Sequence, residues 1–146
     1  MKYLLDTNVI SELRMRERCD PYVAAWFASV DGTALHLSVL VLGEIRKGVE
    51  RLRRTDPDRA VLIDGWLEAV DESFAGRIVG IDRVVADEWG RISARRPVPV
   101  VDALLAATAK VHGMTLVTRN TADVVDLGAT LLDPFAAPAA DRPSAG

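Results

Sequence analysis

Tyr3-Leu4-Leu5-Asp6-Thr7-Asn8-Val9-Ile10-Ser11-Glu12 decides the fold. The apolar run, read as a buried strand over Lys2 to Asp6, is too short for a helix and ends on an acid. Thr7-Asn8 then opens a short helix through Leu13. The same strand-then-helix order recurs outward from this stretch. Ala34 to Ser38 reads as a second strand and Val39 to Arg53 as the long helix after it. Arg77 to Ile81 reads as a third strand, with Asp82 capping a helix through Ser93. Met114 to Thr118 is a fourth, followed by a short helix or loop over Thr121 to Leu127. Thr130 to Leu132 is the last. Between these lie helices over Tyr22 to Val30, started by Asp20-Pro21, from Asp56-Pro57 to about Ala75, and over Val101 to Val111, stopped by Gly113. Such alternation predicts an α/β fold, a central parallel sheet flanked by helices in an α/β/α arrangement. Residues 1–135 are expected to form one domain. The Ala- and Pro-rich tail, 136–146, is expected to be disordered.

Four carboxylates interrupt this apolar pattern. Asp6 ends the first strand, and Glu44 follows the run from Leu35 to Leu42. Asp102 sits within Val98 to Leu105, and Asp123 follows Thr115 to Thr118. Lone charges are expensive to remove from water and need a partner or a metal. Ligands in parallel sheets bind outside the carboxyl ends of the strands, and all four acids fall at strand ends or helix starts. They are therefore expected to converge on one crevice. Clustered carboxylates raise one another's pKa, which a hard cation relieves. Oxygen-only ligands suit Mg²⁺ or Mn²⁺ over Zn²⁺. The two histidines, His36 and His112, lack paired ligand spacing and read as packing or capping residues.

Composition narrows the functional classes. No apolar stretch approaches the ~20 residues of a membrane span, no signal peptide precedes Asp6, and a cytosolic protein is expected. The single cysteine, Cys19, rules out an internal disulfide framework. The net charge of −3 does not advertise a nucleic-acid binder. Setting the four acids aside leaves 17 acidic against 18 basic residues, so nucleic-acid binding would depend on local basic patches.

At the level of motifs the chain resembles PIN-domain ribonucleases. Asp6-Thr7-Asn8-Val9-Ile10-Ser11-Glu12 resembles their opening. Leu37 to Ile45, with Gly48, resembles the second motif. Asp102 to Ala109 resembles the third, and Leu116 to Asp123 the fourth. Order and spacing agree from about Lys2 to Phe135. The length is similar to that of VapC toxins of VapBC toxin–antitoxin pairs, including the FitB-like branch. The resemblance implies RNA cleavage with Mg²⁺ (or Mn²⁺), with Asp6 and Asp102 as principal metal ligands. Glu44 and Asp123 would complete the acidic pocket, directly or through water. Thr118, with Thr7 and Asn120, would orient water or substrate phosphate. It also implies a homodimer, and a hetero-oligomer with a small antitoxin that carries a DNA-binding region. Two positions depart from the pattern: Val41, where Thr or Ser is frequent, and Val124, where an aromatic often follows the fourth acid.

Blander readings stand beside these. Asp6 and Asp102 also fit helix caps, Glu44 a solvated helix residue, and Asp123 a turn former. Asp20, Asp56 and Asp82 read as caps. Glu50, Asp64, Glu68 and Asp71 read as a solvated face. Arg46, Lys47 and Arg51, on the helix of Glu44, are candidate RNA contacts. Arg53 and Arg54 on that helix, the cluster Arg14, Arg16 and Arg18, and the pair Arg95 and Arg96 are further candidates. Trp26, Phe27, Trp66 and Trp89 are expected in the core. The rival functions are a phosphatase, which would need an acid where Asn8 stands, a receiver-like signalling module, and a non-enzymatic RNA-binding scaffold.

Overall fold

The computed structural model describes residues 1–137, so the expected tail lies, from residue 138 onward, outside the described residues. Five strands form one sheet: β1 (Tyr3–Leu5), β2 (Leu35–Ser38), β3 (Ile78–Val79), β4 (Thr115–Val117) and β5 (Thr130–Leu132). Their order is β3-β2-β1-β4-β5, and every pairing is parallel. The parallel sheet expected from the sequence is present. The strands are shorter than expected at β1 and β3, because pairing reaches only two or three residues of each apolar run.

Helices cover the sheet. They are α1 (Thr7–Leu13), α2 (Pro21–Ser29), α3 (Val39–Arg53), α4 (Pro57–Ser73), α5 (Arg83–Arg95), α6 (Val100–His112) and α7 (Thr121–Val124). Asp20, Asp56 and Asp82 cap α2, α4 and α5 through their side chains, as read from the sequence. Gly113 ends α6 in the left-handed conformation (φ 64°), where a Cβ would be strained. Of two 3₁₀ turns, Arg16–Arg18 carried no sequence signal, whereas Gly32–Ala34 falls at Asp31-Gly32, which reads as a turn.

Leu4, Leu5, Leu37, Leu105, Leu116 and Val117 form the centre of the core, buried between the helical layers. Burial on both faces explains why β1 and β4 read as continuous apolar runs. Val41 and Val124 are also buried, so the departures from the motif serve packing. Trp26 stands edge-on to Tyr3, with centroids 5.4 Å apart. Phe27 contradicts its expected place in the core: it is 43% exposed, because Trp26, one residue earlier on α2, takes the inward position against Tyr3.

Arg77 joins the β3 end of the sheet to its neighbours. Its guanidinium donates to the carbonyls of Gly32, Leu35 and Ser73 at 2.7, 2.6 and 2.8 Å and lies over the Phe74 ring.

Glu50 and Asp64 do not form the simple solvated face expected of them. Arg46 donates to both, and so does Arg53, linking α3 to α4. That pairing depends on the register in which the two helices dock, which residue types alone do not specify. Among the described residues no helix is long and apolar enough to cross a membrane.

Candidate active site

Strand order places a topological switch beside β1. The chain leaves β1 toward β2 on one side, and β4 occupies the other. The crevice outside the carboxyl ends of β1 and β4 is where this architecture holds ligands. Asp6 and Thr118 are the first residues beyond those two strands.

Asp6 is both a cap and a member of the cluster. It is 7% exposed and accepts from the Thr7 backbone N–H at 2.7 Å. Thr118 Oγ1 donates to Asp6 Oδ2 at 2.7 Å. Burial pushes the Asp6 carboxyl up from its ordinary value, the Thr118 and Thr7 hydrogen bonds pull it back, and the charge of Glu44 raises it again. An acid buried this far from any basic partner is a marker of a functional site.

Asp102 lies in the first turn of α6, whose N-terminal boundary is Pro99, with no side-chain cap. It therefore does not cap its own helix. Its carboxyl is also raised, by burial first and then by the charges of Asp6, Asp123 and Glu44. Acids from three other segments thus lie within electrostatic reach of Asp102. Glu44, exposed on α3, accepts from Thr7 Oγ1 at 2.7 Å. Asp123 is exposed on α7, and its charge acts on Asp102.

The remaining candidates separate into three groups. Thr118 and Thr7 each hold one of the acids. Asn120 contributes its backbone N–H, which donates to Thr118 Oγ1 at 3.1 Å. Arg46 is engaged by Glu50 and Asp64, whereas Lys47 and Arg51 are exposed on the same helix. His36 bonds the Ala34 carbonyl, and His112 ends α6.

Two residues carry more of the geometry than their sequence signal suggested. The Asn8 side-chain amide lies 3.4 Å from both Asp6 Oδ2 and Thr118 Oγ1, and its Oδ1 accepts from the Arg119 backbone N–H at 3.2 Å. Its position two residues after the first acid was the available clue. Arg96 donates to the carbonyls of Asp123 and Val125 at 3.1 and 3.0 Å, and to Asp126 Oδ1. It fastens the loop that presents Asp123, a structural use for a residue whose sequence setting suggested phosphate binding. Asp126 adopts φ +64°, a conformation that this clamp stabilises.

The donor set is oxygen only, and neighbouring acids raise the proton affinity of Asp6 and Asp102, which suits a hard divalent cation. Asp102 accepts no hydrogen bond among the described residues, leaving both its oxygens available. Among the described residues, no three acidic, histidine or cysteine side chains meet at ligating distance as they stand.

The PIN domain model matches residues 3–124. The chain is similar to Toxin FitB of Neisseria gonorrhoeae, 32% identical over 137 residues, covering 90% of this chain and 97% of that one. It is likewise similar to VapC ribonuclease Y4jK of Sinorhizobium fredii, 30% identical, covering 90% and 96%. The solved structure of FitAB bound to an IR36 DNA fragment superposes with a TM-score of 0.83 at 31% identity, covering 93% of this chain and 97% of that one.

Proposed function

This chain belongs to the PIN-domain family, and we propose that it is a divalent-metal-dependent endoribonuclease, the toxin of a VapBC-type toxin–antitoxin pair. PIN-domain ribonucleases generally depend on a divalent metal. The observation that carries the reading for this chain is the buried Asp6 carboxylate, held by Thr118 and coupled by charge to Asp102 and Glu44. Relatives named as ribonucleases and toxins, similar over nearly their whole length, support the biological role.

Asp6 and Asp102 are the principal ligands in this reading, for Mg²⁺ with Mn²⁺ as a substitute. Glu44 and Asp123 would complete the set, directly or through water. The bound cation supplies an acidified water and positive charge for the phosphodiester oxygens. The Thr118 hydrogen bond opposes the upward pull of burial on the Asp6 carboxyl, and Asn8 helps to orient it. Thr7 fixes Glu44 toward the crevice. Asn120, at the start of α7, borders the place where a phosphate would lie. Lys47 and Arg51 are available to an RNA backbone. Arg46 would first have to leave Glu50 and Asp64. A small antitoxin with a DNA-binding region, and a second copy of the chain, are the proposed partners.

Cleavage of RNA by purified protein, with Asp6→Asn and Asp102→Asn variants alongside, tests this reading. Both variants are expected to fold and to lose cleavage by about three orders of magnitude, equivalent to several kcal/mol of lost charge stabilisation. Full activity in both, or in EDTA, would sink it.

A further inference from the structure

We propose that a groove leading from the Thr7–Glu44 edge of the crevice to the turn after α1 binds the phosphate backbone of the RNA strand. The inference rests on the ribonuclease reading above and identifies where that substrate is held.

Two adjoining depressions make the groove. The first, of about 370 Å³, is lined by Thr7 and Glu44 at one end and by Arg14, Arg59, Ile63 and Trp66 at the other. The second, of about 600 Å³, shares those last four residues and adds Arg16 and Arg18. A chain lying in both would pass directly from the acidic crevice to the arginines.

What distinguishes the four arginines is that all of them line one depression. Among the described residues, none of Arg14, Arg16, Arg18 and Arg59 takes part in an ion pair. Arg14 instead lies 5.8 Å over the Trp66 ring. Elsewhere Arg46, Arg53, Arg91 and Arg96 are all matched to acids. Guanidinium groups that converge on one depression without counter-charge repel one another, and a polyanion relieves them. The need is greatest here, because the neighbouring acids repel the same substrate. Trp66, only half-buried, offers an apolar surface beside the charges for a base to rest on.

Backbone geometry adds an independent observation. Arg16 has φ +51°, in the left-handed region where glycine would be unstrained. A side chain retained at such a position, on a turn edging the groove, is consistent with a use for that side chain beyond folding. An acidic segment of a protein partner would also satisfy the arginines, but continuity with the crevice favours the strand that is cut there.

The test is binding of a short fluorescein-labelled single-stranded RNA to the full chain in EDTA, by anisotropy across a salt series, with cleavage measured separately in Mg²⁺. Arg16→Gly and Arg59→Gln are each expected to weaken binding about three- to tenfold. Each should make the log–log salt dependence shallower by about 0.7 for every phosphate that the variant no longer neutralises. Arg91→Gln on α5, an equal loss of charge away from the groove, is expected to leave both unchanged. Arg16→Gly should also melt no lower than wild type, which separates the charge from the fold. If wild type cleaves RNA but both groove variants keep its affinity and slope, this inference is overturned and the ribonuclease reading stands. If the variants keep RNA but lose a co-expressed antitoxin, the groove belongs to the antitoxin and the inference is again overturned. Failure of wild type to bind or cleave RNA would overturn the ribonuclease reading and this one with it.

Discussion

Thr118 Oγ1 donates a 2.7 Å hydrogen bond to Asp6 Oδ2 across the switch point between β4 and β1. It is the strongest restraint on the proton affinity of a carboxylate that burial otherwise raises. A carboxylate accepts a hydrogen bond more strongly than the neutral acid does, so the bond favours the ionised form.

Thr118→Val is therefore expected to raise the Asp6 pKa further and to lower RNA cleavage about 10–100-fold, the usual cost of losing a residue that orients a ligand. The acidic limb of the pH–rate profile should move to higher pH. Thr118→Ser keeps the hydroxyl and should restore most of the activity and the position of that limb. A purely structural role for Thr118 would lower activity at every pH without moving the limb.

Stability without metal should change in the opposite sense to activity. The raised carboxyl of Asp6 means that folding favours its protonated form, so its contribution is fully favourable below the ordinary value of 3.8 and is lost as pH rises through the raised one. The same sign holds for Asp102. Asp6→Asn and Asp102→Asn should accordingly melt above wild type at neutral pH in EDTA, Asn being as good a cap as Asp at position 6. The advantage should disappear as pH falls below the ordinary carboxylate range. Thermal melts across that pH series provide the check, and added Mg²⁺ should raise the melting temperature of wild type alone.

Removing the Arg96 clamp should release the segment that carries Asp123. Arg96→Ala forfeits bonds to the Asp123 and Val125 carbonyls and to Asp126, and a loss of about 1–3 kcal/mol in stability is expected. Hydrogen exchange should quicken over residues 120–127, and cleavage should require more metal. Arg96→Lys should restore little, because one ammonium cannot reproduce the planar fork.

Much of this arrangement was legible in the sequence because it is local. The acid at the end of the Tyr3–Leu5 run, the Asp20-Pro21 and Asp56-Pro57 helix starts and Gly113 each act within a few residues. Strand ends sharing one edge of a parallel sheet led to the expectation that Asp6, Glu44, Asp102 and Asp123 lie near one another, and the other three do act electrostatically on Asp102. What was not legible depends on distant neighbours. The order β3-β2-β1-β4-β5 has no local signature. The engagement of Arg46 by Asp64 requires one particular register of α3 against α4. Asn8 and Arg96 looked ordinary until the elements they join were brought together.

Central to the proposed chemistry is one divalent cation held between these acids. Mn²⁺ uptake, followed by loss of the free-ion paramagnetic resonance signal, measures this directly in wild type, Asp6→Asn and Asp102→Asn. Uptake by wild type that Mg²⁺ displaces, and its loss in both variants, is the predicted result. Equal uptake by all three proteins, or none by wild type, would contradict it.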